Sequence, residues 1–165
     1  TVDRELKLCV DVFKAADRFE GTSVVEVLQN CVIFNDKTHQ AITDKEFKDD
    51  RTILLEHGKP MIFGKNRDKG LMLEGLTLKV VQLGVNGVEE KDLLVHDAEC
   101  TDSSMHLKLA TMEYPEFPVA LGVIRSVKGA VYNRDVEAQI QEVQQNSSVK
   151  SFRDLATRGN VWEVK

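Results

Sequence analysis

The chain has 165 residues, 42% hydrophobic and 30% charged, with 10 Gly and 3 Pro; this excludes a disordered polymer and allows one domain, or one domain plus a piece of another. A formal net charge of −5 and a pI near 5.4 argue against nucleic acid as the main partner, because phosphate binding needs a clustered basic face. No apolar run approaches the roughly 20 residues of a spanning helix and no basic start leads into a short apolar stretch, so neither membrane segment nor signal peptide is expected and a cytoplasmic location is.

Three cysteines, Cys9, Cys31 and Cys100, are an odd number without CxxC spacing, which makes neither a disulfide framework nor a self-contained zinc site. The chain opens at Thr1 rather than Met, which sets the expectation that something upstream has been removed.

In chain order, Leu6, Cys9 or Val10, Phe13 and Ala16 recur at three-to-four-residue spacing and predict an amphipathic helix that Gly21 stops. The β-branched run Ser23 to Leu28 predicts a parallel-type strand buried on both faces. Gln29-Asn30-Cys31 then stands at its C-terminal end, where open α/β sheets gather ligands. After Asp36 the character changes. Ile53–Leu55, Met61–Phe63, Leu71–Leu73 and Leu76–Leu83, punctuated by His57-Gly58, Gly64, Gly70 and Glu74-Gly75, read as antiparallel hairpins with Leu76, Leu78 and Val80 on one side.

Leu93–Val95 reads as a further short strand, and Asp102 or Ser103 caps a helix carrying Met105, Leu109 and Met112 that Pro115 and Pro118 end. Val119 to Val127 alternates like a strand. Asn133 caps a helix with the stripe Val136, Ile140 and Val143; a polar linker runs from Gln144 to Lys150. Ser151 and Asp154 form a shortened capping box before Phe152 and Leu155, and Val161-Trp162-Glu163-Val164 offers a terminal strand.

Three constellations could carry chemistry. Cys31, just after a strand, is presented rigidly and suits a metal ligand, while the spacing by itself favours a small buried hydrophobe. Gly64 to Gly70 holds Lys65, Arg67 and Lys69 and could cradle a phosphate, but it lacks the P-loop pattern, so a solvated hairpin tip is the preferred reading. His96, Cys100 and His106, with Asp97 and Asp102 near them, match no common zinc spacing. His96-Asp97 is read as a strand end and turn.

Taken whole, Gly21-Thr22-Ser23-Val24-Val25-Glu26-Val27-Leu28-Gln29-Asn30-Cys31-Val32-Ile33-Phe34-Asn35-Asp36 resembles a stretch in the beta subunits of 2-oxoacid:ferredoxin oxidoreductases. Leu55-Glu56-His57-Gly58-Lys59-Pro60 with Ile62-Phe63-Gly64, Leu93-Leu94-Val95-His96-Asp97, Phe117-Pro118-Val119 with Leu121-Gly122-Val123, and Ser151 to Val164 resemble the same family in the same order. The resemblance implies an enzyme that decarboxylates a 2-oxoacid on magnesium and thiamine diphosphate, passes electrons through iron–sulfur clusters to ferredoxin and hands the acyl group to coenzyme A. The strings look nearer to 2-oxoglutarate than to pyruvate members.

By the same resemblance, Cys31 is the last of four cysteines that hold an iron–sulfur cubane. The upstream CxxC pair, the third cysteine and the GDG-type magnesium and diphosphate motif do not occur in residues 1–165. The expected fold is therefore α/β: residues 1–36 as the last helix and strand of a thiamine-diphosphate-binding parallel-sheet domain, and 37–165 as a small α+β C-terminal domain. No residue here is assigned a catalytic role, and no cofactor-binding residue is identified. The chain alone is expected to be inactive and to bind no cofactor, to pair with the alpha subunit, and as a fragment to self-associate or leave 1–36 disordered. The alternative from another class is a stand-alone binding module using the 64–70 loop or a sheet edge.

Overall fold

Two apolar segments far apart in sequence, each short and rich in Ile, Leu and Val, organise the centre of the protein in a computed structural model that describes residues 1–162 and Val164. They are β1, Thr52–Leu55, and β5, Val119–Gly122, which pair in parallel with Thr52 opposite Val119 and Leu55 opposite Gly122. β1 is thus no hairpin arm, as its place among the 51–83 segments had suggested. Antiparallel pairing is confined to β2 (Ile62–Phe63), β3 (Lys69–Glu74) and β4 (Thr77–Gln82), in the order β2-β3-β4.

Between β4 and β5 come a single 3-10 turn, Glu90–Asp92, and helix α4, Ser104–Ala110. Asp102 caps α4, its carboxylate accepting from the Ser104 amide at 2.8 Å and hydroxyl at 2.7 Å; Ser103 makes no side-chain cap. Ile53, Leu55, Met61, Phe63, Leu71, Leu78, Leu109 and Met112 form one apolar core, with Met105, Phe117 and Ile124 against its margin. Segment 93–95 threads this core without becoming a strand. The Leu94 amide donates to Leu71 O and the Met61 amide to Leu94 O, both at 2.8 Å, and Val95 makes one bridge to Pro60. Leu76 lies exposed in the β3–β4 turn, so it does not share the buried side of Leu78.

The N-terminal segment departs most from expectation. Helix α1, Leu6–Arg18, forms as foreseen, but its inward face is Leu8, Cys9, Val12 and Ala16, while Leu6, Val10 and Phe13 are exposed. The run 23–28 does not form a strand. Its pairing is one parallel bridge, Val2 to Leu28, with the Asp3 amide donating to Leu28 O and the Leu28 amide to Thr1 O. A β-branched run needs a neighbouring backbone to become a strand, and here residues 1–3 are the neighbour it has. This piece joins the rest through two short helices, α2 (Gln40–Thr43) and α3 (Lys48–Arg51). The Lys48 ammonium donates to Glu5 at 2.5 Å, and the Arg51 guanidinium stacks on Phe47 and Tyr114 at 4.3 and 4.6 Å from the ring centres.

Contacts divide the chain into Thr1–Lys128 and Gly129–Lys165, so the expected boundary after Asp36 falls inside the first unit. The second unit carries α5, Tyr132–Asn146, and α6, Phe152–Ala156. α5 starts beyond Val131 with no side-chain cap, so Asn133 lies inside its first turn, and the helix runs on to Asn146, into the expected linker. Ser151 and Asp154 do cap α6: the Ser151 hydroxyl accepts from the Asp154 amide at 3.1 Å and the Asp154 carboxylate from the Lys150 amide at 3.0 Å. No residue of α5 or α6 is buried. Val161, Trp162 and Val164 belong to no strand, and Glu163 of the expected terminal strand lies outside the described residues.

Gly122 ends β5 at φ 102°, and a Cβ there would stand 2.6 Å from the Leu55 carbonyl oxygen. Gly122→Ala is therefore expected to lower unfolding stability by about 1–3 kcal/mol, and Leu109→Ala, which empties a fully buried site, by about 2–5 kcal/mol. Urea denaturation at neutral pH measures both. Leu107→Ala, on the exposed side of α4, should stay within about 0.5 kcal/mol of the parent.

Candidate functional site

The loop Asn30–Lys37 is built almost wholly from hydrogen bonds. The Asn30 amide donates to Asp3 Oδ2 at 3.2 Å, its side-chain Nδ2 donates to Asp36 Oδ1 at 3.1 Å, and its Oδ1 accepts from the Lys37 amide at 2.7 Å. The Asn35 amide closes a turn onto Cys31 O at 2.9 Å. Cys31 therefore begins a tight turn, half-buried, and does not end a strand as expected, because the run before it lacks a ladder.

Donation from Phe34, and next from Ile33, lowers the Cys31 thiol from its ordinary value; partial burial opposes them and the Asn35 N–H adds to them. Backbone donors on a sulfur favour the thiolate, the form in which cysteine binds metal. Val32, Ile33 and Phe34 at the tip are 73%, 82% and 91% exposed, a run of apolar side chains facing outward beside that sulfur. Cys9 is employed otherwise: its thiol donates to Val2 O at 3.0 Å. Cys100 is exposed. Among the described residues no three His, Cys, Asp or Glu side chains converge as a metal site.

The basic 64–70 segment joins β2 to β3 as a tip, and it is arranged around a carboxylate of the protein itself. Lys69 Nζ donates to Asp50 Oδ1 at 2.8 Å, and this bond leads the lowering of the Asp50 carboxyl from its usual value, helped by the Lys65 backbone N–H. The Gly64 amide donates to Asp49 O at 2.8 Å. Asp50 thus takes up donors that a phosphate would need.

His96, Cys100 and His106 are not a zinc set. His106 sits between Arg125, whose Nη1 lies 2.8 Å from Nδ1, and the Asp97 carbonyl, 2.8 Å from Nε2. A guanidinium only donates, so Nδ1 is the acceptor, Nε2 carries the proton and neither nitrogen is left for a metal. His96, 1% exposed, places Nε2 at 2.9 Å from Val123 O, which makes Nε2 its donor and leaves Nδ1 buried with no partner. His57 Nδ1 accepts from the Ala98 amide at 3.2 Å. Arg125 was not among the sequence candidates; it also donates to Cys100 O at 3.0 Å and Thr101 O at 3.3 Å, and a lone arginine after a strand carries no signal of that role. These bonds tie segment 96–101 to the chain leaving β5.

No family model matches the chain, and no solved structure does. The chain is 29% identical, over 99% of its own length, to the 2-oxoglutarate oxidoreductase subunit KorB of Mycobacterium tuberculosis, and it spans 44% of that relative. The resemblance drawn from the sequence strings is thereby supported along essentially the whole chain. No helix among the described residues is long and apolar enough to cross a membrane.

Burial pulls His96 below its ordinary value of 6.5, with the neighbouring His106 and His57 acting in the same direction and the Val123 carbonyl and Asp97 opposing. Above about pH 6.5 the imidazole is neutral folded and unfolded alike. Below it the unfolded chain takes up a proton that the folded chain resists, so stability falls with pH from about 6.5 down to the lower folded value. Denaturation midpoints between pH 7.5 and 5 should show that decline, and His96→Gln should flatten it. An equal slope in the variant would assign the decline to other groups.

Proposed function

We propose that this chain is the C-terminal part of the beta subunit of a 2-oxoglutarate:ferredoxin oxidoreductase, acting with an alpha subunit in the cytoplasm and inactive by itself. The observation that carries the reading is the similarity to a 2-oxoglutarate oxidoreductase subunit over 99% of this chain, joined to the order of the family-like strings from Gly21 to Val164. In the intact enzyme a 2-oxoacid loses carbon dioxide on thiamine diphosphate, electrons leave for ferredoxin and the acyl group goes to coenzyme A. Residues 1–36 would complete the cofactor domain and 37–165 would pack on it. The magnesium and diphosphate motif lies outside residues 1–165, so no step of that chemistry is assigned to them.

The residue that fits a family cofactor is Cys31. A half-buried thiol drawn toward the thiolate by backbone N–H groups has the donor chemistry of an iron–sulfur ligand, and the cluster supplies a one-electron relay when bound. Cys31 supplies one ligand; the other three would come from the longer polypeptide. Substrate choice follows the relative's printed name and stands above pyruvate for that reason. The apolar surfaces at 6–13, 32–34 and along α5 supply area for subunit contact.

Expression of the natural full-length subunit with its alpha partner tests the reading. Reduction of ferredoxin that requires both 2-oxoglutarate and coenzyme A is expected, and Cys31→Ser should lose most of the iron–sulfur absorbance while the two subunits still co-purify. Failure to associate with an alpha subunit, or turnover with pyruvate alone, would replace this assignment.

A further inference from the structure

Residues 96–101 run past the exit of β5 and are tied down from two sides. Towards the 56–59 turn, the His96 amide donates to Lys59 O at 2.9 Å and the Gly58 amide to His96 O at 2.8 Å. Towards β5, the Ser126 amide donates to Ala98 O at 2.7 Å, and Arg125 donates to the Cys100 and Thr101 carbonyls. Two more bonds of this set end on an imidazole: the Ala98 amide donates to His57 Nδ1 at 3.2 Å, and Arg125 Nη1 to His106 Nδ1 at 2.8 Å. A backbone N–H and a guanidinium only donate, so both bonds exist only while His57 and His106 are neutral. Histidine is the side chain whose charge ordinarily changes between about pH 5 and 8.

A proton on either ring turns an acceptor into a donor. At His106 it sets two cations against each other; Nε2 keeps the Asp97 carbonyl, but Arg125 loses the partner that orients it. At His57 the new N–H has another place to go, since Asp97 Oδ1 lies 3.6 Å from Nδ1 and accepts from the imidazolium in place of the Ala98 amide. Ala98 is 3% exposed, and a buried amide left without an acceptor costs more than the bond it has lost, so the backbone has to move until water reaches it. The remaining charges do not replace these bonds. The Asp102 carboxylate feels His106 and Arg125 but is taken up by Ser104, Glu56 and Lys59 pair with each other, and burial opposes a charge on His96, which faces His57, His106 and Asp97.

We propose that residues 96–101 form a pH-sensitive strap: neutral His57 and His106 hold it closed on the 56–59 turn and the β5 exit, and their protonation frees it while the apolar core stays folded. The freed strap uncovers Ala98 and the His96 ring, both buried at neutral pH. The inference stands on bonds within this chain and rests neither on the oxidoreductase assignment nor on Cys31.

Amide exchange of this chain at pH 7.5 and 5.5, with the change in intrinsic rate divided out, tests the strap. Protection at Ala98 and Ser126 should fall by about fivefold or more relative to Leu71 in the core, the effect of losing one hydrogen bond. Ring-nitrogen spectra of His57 and His106 should show both gaining a proton over the same range. His57→Asn keeps an uncharged oxygen acceptor near the place of Nδ1, so Ala98 should stay protected at pH 5.5, whereas His57→Ala should leave Ala98 poorly protected at both pH values. Constant protection at Ala98 and Ser126 once both rings are protonated overturns the proposal, and so do rings that remain neutral at pH 5.5. An equal loss at Ala98 in the parent and in His57→Asn also overturns it. A fall at Leu71 as large as that at Ala98 would place the change in the whole fold and leave no strap.

Discussion

The parallel pairing of Thr52–Leu55 with Val119–Gly122 is the constraint from which the rest of the first unit follows. Parallel strands cannot be joined by a tight turn, so everything from Glu56 to Pro118 has to serve as a crossover. That long connection is filled with structure of its own: an antiparallel three-stranded sheet and helix α4, both contributing side chains to the same core as β1. The pairing stops at Gly122, where the Leu55 carbonyl comes too close for any side chain, and beyond it the chain leads through Val123 and Arg125 to the bonds that hold residues 96–101.

Two kinds of order coexist in this unit. Around Ile53, Leu71 and Leu109 the conformation is held by burial, each side chain enclosed by others from distant segments. At 30–37 it is held by directional bonds from one amide side chain, with apolar residues left in solvent. A loop of the second kind keeps its shape without giving up its apolar tip to a core.

The exposed apolar surfaces fit the proposed place of the chain in a larger assembly. Leu6, Val10 and Phe13 on α1 would be an ordinary buried face in a layered α/β domain, and α5 leaves Ile140 and Val143 half or more exposed. A single helix of 15 residues gains little from propensity alone in water. Area of this kind is characteristic of contact with other polypeptide, and the relative is more than twice as long as this chain.

Local chemistry was legible in the residues themselves. The apolar period of α1, the Gly75 turn between β3 and β4, Asp102 before α4 and the Ser151–Asp154 cap act within a few residues of chain, so a reading along the sequence finds them. The family-like strings belong to the same class, since side-chain order is visible without a fold. Tertiary structure alone decided which side of α1 faces inward, because Leu6, Val10 and Phe13 are as apolar as Leu8, Cys9 and Val12 and only the neighbour chooses between them. It decided that 23–28 stays unladdered, since a strand requires a partner backbone that its own residues do not specify. It moved β1 from a hairpin to a parallel pair with β5, turned the basic loop around Asp50, and gave His106 to Arg125 rather than to a metal. Each of these depends on contacts between residues far apart in sequence, which no local spacing encodes.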